Sequence, residues 1–355
     1  MSLRPDETRS QTGEALRLSQ RQGLVLRAVV SAYVGEAAPI GSATLAHLLP
    51  VSLSSASIRN TLAELADLGL IEKPHASAGR VPTDRGLRLF VDAFLGTRPL
   101  GDYEKRHLAG SVHGVDALAA LRLASQLLSE RTQQLGFVLR PRLDRVVLRH
   151  ASLVRLSSER VMAVLVSSAG VAHRRVIEDA GLDDQAELDR IAAALNATVR
   201  GRTLAEARAA LAREASHLRS QAERLRARAL RLAAAALAQA DDEADLLTGT
   251  WLSLLDQPEF RDPERLRELL TALETRERLV ALLDQMLAER GVHVAFGGDT
   301  DEPGLRHCAI VTARYGGEDA PLGVLGVIGP SRMDYARVIP LVEFFSQLIT
   351  EKLTA

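Results

Sequence analysis

The stretch Leu53-Ser-Ser-Ala-Ser-Ile-Arg-Asn-Thr61, followed by Leu68-Gly-Leu-Ile-Glu-Lys-Pro-His-Ala-Ser-Ala-Gly-Arg-Val-Pro-Thr-Asp84, decides the fold of the amino-terminal part of the chain. Ser54 or Ser55 opens a helix, because a side-chain oxygen there satisfies a free N–H of the first turn. Ile58, Leu62, Leu65 and Ala66 recur at helical spacing and give one inward face as far as about Leu68. Gly69 ends the helix, since glycine accepts the left-handed backbone that a helix terminus favours. Leu70-Ile-Glu-Lys73 and Val81-Pro-Thr83 then read as two short strands joined by the turn-rich segment Pro74 to Arg80.

Upstream, Ser19 caps a helix whose apolar face is Leu24, Val25, Ala28, Val29, Ala32 and Tyr33, broken by Gly35 and Pro39. Ser42 is placed as the cap of a short helix, Ala43 to Leu49, which Pro50 ends. Helix, short helix, turn, helix, hairpin is the order of a winged helix-turn-helix. In such a unit the start of the second helix of the motif reaches base edges in the major groove. Here it offers Ser54, Ser55, Ser57, Arg59, Asn60 and Thr61. Arg suits guanine O6 and N7, and Asn suits adenine N6 and N7. The wing adds His75, Ser77 and Arg80, with Gly79 allowing close backbone approach to phosphate. Ser42, Thr44 and Thr83 complete the candidate DNA-binding set. The competing reading is a winged helix used for protein contacts, its serines serving only as caps.

The whole chain has 355 residues, 44 basic and 45 acidic, with 46% hydrophobic residues and one cysteine. That balance does not announce nucleic acid, so any such role rests on a local patch. Leu18 to Asp92 carries seven basic residues against six acidic, which helps little. A single cysteine excludes an internal disulfide and a cysteine-rich zinc site. No apolar run approaches the ~18 residues that span a bilayer. Residues 1–17 are polar, lack the apolar core of a signal peptide and read as a disordered arm. The expectation is a soluble cytoplasmic protein without membrane contact.

Beyond the hairpin, helices are expected over Asp84 to Phe94 and Val115 to Leu135, then strands from Arg145 to Ile177 with turns at Ser157-Ser158 and Ala169-Gly170. Helices follow at Leu188 to Leu195, from Leu204 to about Ala240, and from Asp262 to Arg290, where Asp262-Pro263 form a cap and first-turn pair. Strands return at Gly291 to Phe296, His307 to Arg314 and Gly323 to Ile328, and a helix kinked or restarted at Pro340 closes the chain. The simplest arrangement is one α+β domain interrupted by a helical insertion; two separate small sheets are the alternative.

In the long helix Leu204, Leu211, Leu218, Leu225 and Leu232 repeat every seven residues, and Ala215, Ala222, Ala229 and Ala236 each lie four positions after one of the last four of them. That seam fits either a dimer contact or an intramolecular core face. The nine arginines against three glutamates between Arg200 and Arg231 are either a solvated face or a phosphate-tracking surface.

Catalysis is not expected. His307 and Cys308 are adjacent on a strand and point to opposite faces, and Cys308 reads as a small buried hydrophobe. No phosphate loop, nucleophile elbow or His-Glu-x-x-His motif occurs. The glycines at 297–298, 316–317 and 323–329 read as turns and strand packing. No metal or cofactor is expected.

The segments Ala38-Pro-Ile-Gly-Ser42, 53–61 and 68–84, together with Gly323-Val-Leu-Gly-Val-Ile-Gly-Pro-Ser-Arg-Met-Asp-Tyr-Ala-Arg-Val-Ile-Pro-Leu-Val342 and Leu254, Leu255 and Pro258-Glu-Phe260, closely resemble the heat-inducible transcription repressor HrcA family. The resemblance implies a homodimeric repressor of chaperone operons that binds double-stranded operator DNA, an inverted repeat called CIRCE, and whose activity the chaperonin sustains until heat diverts it. It implies a winged helix over 18–92, a GAF-like α+β domain over 93–180 and 291–355, and a dimerising domain inserted at 181–290. A ligand-sensing winged-helix regulator of another operon is the alternative. A chaperone-interacting scaffold without DNA binding is a weaker one.

Overall fold

The computed structural model describes residues 18–51, 53–75, 78–96, 98–141, 147–168, 170, 172–178, 184–203, 206–207, 209–210, 213, 246–317 and 321–354. It divides into two compact units, Met1–Leu95 and Gly96–Ala355. No helix among the described residues is long and apolar enough to cross a membrane.

In the first unit the helices are α1 (Gln20–Glu36), α2 (Ser42–Leu48), α3 (Ser55–Asp67) and α4 (Asp84–Phe94), and the hairpin is β1 (Ile71–Glu72) and β2 (Val81–Pro82). Ser19 caps α1 in a reciprocal box: its hydroxyl accepts the Gln22 N–H at 3.2 Å, and the Gln22 amide oxygen accepts the Ser19 N–H at 2.8 Å. Val25, Leu26, Val29, Leu45, Ile58, Leu62 and Leu65 are buried and form the inward faces. Ser42 is not the cap of α2. Gly41 holds that place without a side-chain bond, and Ser42 is the first helical residue. The reason lies one residue earlier, where Ile40 is drawn into backbone pairing with Arg80 and the extended chain runs on through Gly41.

The second unit opens with α5 (Asp102–Val112) and α6 (Ala117–Thr132), where a single helix from Val115 to Leu135 was expected. Gln133 adopts φ +56° and ends α6, and the chain turns directly into strand β3 (Leu135–Leu139). The larger sheet has five strands in the order β7 (Leu246–Thr248), β3, β10 (Pro321–Pro330), β9 (Cys308–Gly316), β8 (Val292–Phe296), all antiparallel. One face carries Leu135, Phe137, Leu139, Val324, Ile328, Ile310 and Cys308 against Leu254, Phe260 and the helices α8 (Pro263–Glu274) and α9 (Arg276–Gln285). Asp262 caps α8 with Pro263 in its first turn, as the sequence predicts. On the opposite face α6 lies so close that a Cβ on Gly136 would meet the Ser125 carbonyl at 2.3 Å. The closing helix α10 (Tyr335–Thr354) runs through Pro340 without a break. Proline has no N–H to give the Ala336 carbonyl, and the backbone N–H of Arg98 approaches that oxygen at 3.5 Å instead.

The strands do not form one sheet across the interruption. Strands β4 (Leu148–Arg155), β5 (Arg160–Ser167) and β6 (Ala172–Glu178) pair with one another in a separate three-stranded sheet, covered on one face by α7 (Gln185–Val199). The excursion leaves the larger sheet after Leu139 and returns at Leu246, and these two residues are direct partners in the β3–β7 ladder. Residues 246–288, expected within the insertion, supply core to the larger sheet. The boundary was hidden because β3 continues the apolar pattern of α6 and β7 is only three residues long.

Two separate family-like motifs meet across the larger sheet's end. Arg332, just past β10, pairs through Nε and Nη2 with the two carboxylate oxygens of Glu259, and its Nη2 also donates to the Gln257 amide oxygen at 2.9 Å. The side chains are only 13% and 15% exposed. Burial pushes the nearby Cys308 thiol up to about 12, with the Glu259 charge adding to the effect, so it stays a protonated core group. Replacing Arg332 by Met should leave a largely desolvated carboxylate unpaired and lower unfolding stability by about 3–5 kcal/mol, read from the denaturant midpoint at unchanged m-value; an unaltered midpoint would mean the pair is solvated.

Candidate nucleic-acid interface

Helix α3 sorts its polar residues into two groups. Ser54 is the cap, its hydroxyl accepting the Ser57 N–H at 3.2 Å. Ser57 is half-buried and its carbonyl receives the hydroxyl of Thr61 at 3.0 Å; Thr61 is fully buried and has no outward role. Ser55, Arg59 and Asn60 are exposed on the same helix. Glu64, the acid of the third turn, accepts from the Gln22 side-chain amide at 2.9 Å and faces Arg21 at 3.4 Å. Its charge is thereby engaged with α1.

The hairpin beside α3 is pinned by backbone pairing. Ile71 faces Pro82 and Glu72 faces Val81 across its two strands. On the outer side Ile40 donates to the Arg80 carbonyl at 2.8 Å and accepts from the Arg80 N–H at 2.9 Å, adding a third extended segment. This pairing requires glycine at 79, where a Cβ would fall 2.5 Å from the Ile40 carbonyl carbon and oxygen. Close approach of the hairpin to residues 39–40 accounts for Gly79.

The remaining candidates are distributed as follows. Ser42 and Thr44 are half-buried on α2. Thr83 is the cap of α4: its hydroxyl accepts the Gly86 N–H at 3.1 Å and donates to the Gly69 carbonyl at 2.7 Å, so both its functions are structural. His75 is exposed on the hairpin connection, its carbonyl accepting the Ala78 N–H at 2.9 Å, and Arg80 is half-buried. Ser77 lies outside the described residues. Lys73, exposed at the end of β1, was missed; a cation at a strand–turn junction was the available signal. Arg85, also missed, donates to the Leu68 carbonyl at 3.2 Å and closes the end of α3.

The candidate dimer residues Leu204, Leu211, Leu218, Leu225 and Leu232 lie outside the described residues. The small sheet nevertheless has two distinct sides. Leu153, Val161, Ala163 and Ile177 pack on Leu188 and Ile191 of α7. The edge of β4 is covered by side-chain amides of the same helix. Asn196 accepts from and donates to the backbone of Ala151, both at 2.7 Å, and Gln185 accepts the Arg155 N–H at 3.0 Å and donates to the Leu153 carbonyl at 2.9 Å. The other face is mixed: the register aligns Val154 with Met162 and Val176, and Val164 and Val166 lie on the same side together with Ser152, His150 and Arg174. Val154 is 40% exposed and Val176 49%. Among the described residues no group of His, Cys, Asp and Glu could hold a metal ion.

The family model described as the HrcA protein C-terminal domain matches residues 119–339. The heat-inducible transcription repressor HrcA of Nitratidesulfovibrio vulgaris (strain Hildenborough) is 40% identical over 346 residues, covering 95% of this chain and 97% of that one. The protein of the same name from Xanthomonas campestris pv. campestris is 39% identical over 335 residues, covering 94% and 95%. A hypothetical protein solved by crystallography at 2.2 Å has the same fold, with a TM-score of 0.61 at 22% identity, covering 95% of this chain and 99% of that one.

Replacing Gly79 by Ala should force Ile40 and Arg80 apart and cost about 1–3 kcal/mol in the first unit. Hydrogen exchange at the Ile40 and Arg80 amides reports it; wild-type protection in the variant would show that the pairing tolerates a side chain.

Proposed function

The chain belongs to the HrcA family of heat-inducible transcription repressors, and from that membership we propose that it represses chaperone operons by binding a CIRCE-type inverted repeat as a homodimer. The observation that carries the proposal is the row Ser55, Arg59 and Asn60, exposed on α3 beside a hairpin fixed by backbone bonds to Ile40. In this reading residues 18–92 are a winged-helix unit, α3 enters the major groove, and Arg59 and Asn60 read base edges. Ser42, Thr44, His75, Ser77 and Arg80 supply contacts to the sugar-phosphate backbone. Thr83 and Ser54 position the elements that carry them. Repression follows from occupying the operator.

An inverted repeat calls for a two-fold partner, since two identical half-sites match two identical recognition helices. We place the dimer contact in the segment between Leu139 and Leu246, where the exposed Val154 and Val176 and the leucine repeat Leu204 to Leu232 both occur. The larger sheet with its helices is the GAF-like domain of this architecture. The chaperonin is the partner that sustains activity, and no cofactor is required.

Selection of bound fragments from random DNA should enrich an inverted repeat of the CIRCE type. Enrichment of an unrelated repeat would point to another operon, and none at all would end the DNA-binding reading. Arg59→Ala should cost about 1–3 kcal/mol and relax one base position, whereas Arg80→Ala should weaken all sequences alike and reduce the salt slope by about one. Val176→Asp, at an exposed position, should shift the sedimenting species to monomer while the far-ultraviolet spectrum is retained; an unchanged dimer would move the contact elsewhere.

A further inference from the structure

Helix α5 carries an outward face that operator reading by α3 does not use. Leu108 and Val112 are buried on its inner side, against α6. At helical spacing the opposite side presents Tyr103, Arg106, His107 and Gly110. All four are exposed, and Tyr103 is 80% so. The Tyr103 and His107 rings stack with centroids 6.5 Å apart and planes 12° from parallel, which fixes the phenol and imidazole side by side. The Arg106 Nε donates to the Asp102 carbonyl at 3.2 Å, which anchors the guanidinium and leaves its terminal nitrogens to reach outward. Lys105 is exposed on a neighbouring side of the helix. Of the two acids on α5, Glu104 is turned to Arg337 at 3.7 Å, and Asp102 lies in the first turn, where it offsets the helix dipole.

We propose that this face of α5 is a second DNA contact, gripping the phosphate backbone of the duplex that flanks the operator. The inference rests on the repressor reading given above. Charge complementarity favours a polyanion: a forked guanidinium pairs with phosphate oxygens in a two-point geometry. The phenol and imidazole add hydrogen-bond donors of the kind that contact phosphates. Gly110 leaves the end of the face low enough for a backbone to pass. A face that tracks phosphates carries no base preference, so its contribution scales with the length of flanking DNA and not with its sequence.

The test is titration of the full-length protein with two duplexes, one trimmed to the inverted repeat and one extended by a helical turn at each end. Wild type should bind the extended duplex severalfold more tightly. Arg106→Glu should abolish that advantage, leave affinity for the trimmed duplex unchanged, and make the salt dependence on the extended duplex shallower by about two, one phosphate per protomer of a dimer. Arg106→Lys, which keeps the charge, should restore most of the slope. Equal affinity of wild type for both duplexes, or an Arg106→Glu protein with the wild-type slope, overturns the proposal; so does loss of binding to the trimmed duplex, which marks a folding defect or a protein-facing role. Failure of wild type to bind the inverted repeat at all would instead remove the repressor reading itself, as Arg59→Ala measures independently.

Discussion

Strand β10 has to be buried on both faces and bonded on both edges, and the second unit is arranged to meet that demand. It pairs with β3 on one side and β9 on the other. At Gly323, Gly326 and Gly329 a Cβ would lie 2.4, 2.0 and 2.0 Å from the Leu139 carbonyl, the Val311 carbonyl and the Gln134 side-chain oxygen respectively. A strand so enclosed gains from its aliphatic residues only if each face receives a complete apolar cover. Residues 254–287 cover one and helices α6 and α10 the other. The Arg332 pair with Glu259 then ties the first cover to the end of β10 itself. The family-like motif at 323–342 is thus a packing requirement, and its partner at 258–260 is the piece that fills it.

The legibility of the chain follows the range of the forces involved. Caps, turns and helical faces are local, and Ser19, Ser54, Asp262 and the order of elements through Phe94 are all readable from neighbouring residues. The β3–β7 ladder joins residues more than a hundred positions apart, and nothing in Leu135-Gly-Phe-Val-Leu139 distinguishes a strand from the last turn of an apolar helix until Leu246–Thr248 is set beside it. Without that ladder, strands 148–178 read as continuous with those at 292–330, although they form a sheet of their own. The candidate site shows the same division. The polar character of α3 was legible, but which hydroxyls the backbone consumes was not. Thr61, Ser54 and Thr83 have the composition of contact residues and the bonding of structural ones.

Near-equality of acids and bases over the whole chain conceals an uneven arrangement. On α3 the acid Glu64 is engaged with α1, and on α5 the acid Glu104 is engaged with α10. In both helices an arginine, Arg59 or Arg106, is left on the exposed side. Short-range pairing of acids, more than a surplus of bases, sets the local sign of the surface.

The meeting of Leu139 and Leu246 at one rung of the larger sheet has a mechanical consequence. Load applied to the excursion enters the frame at that rung, and it pulls β7 away from β3 one hydrogen bond at a time, because both chains are drawn from the same end. Strand β7 is three residues long and lies on the edge, so it is the weakest link in the path. A strand this short on an edge is where the larger sheet opens first, ahead of the enclosed strand β10.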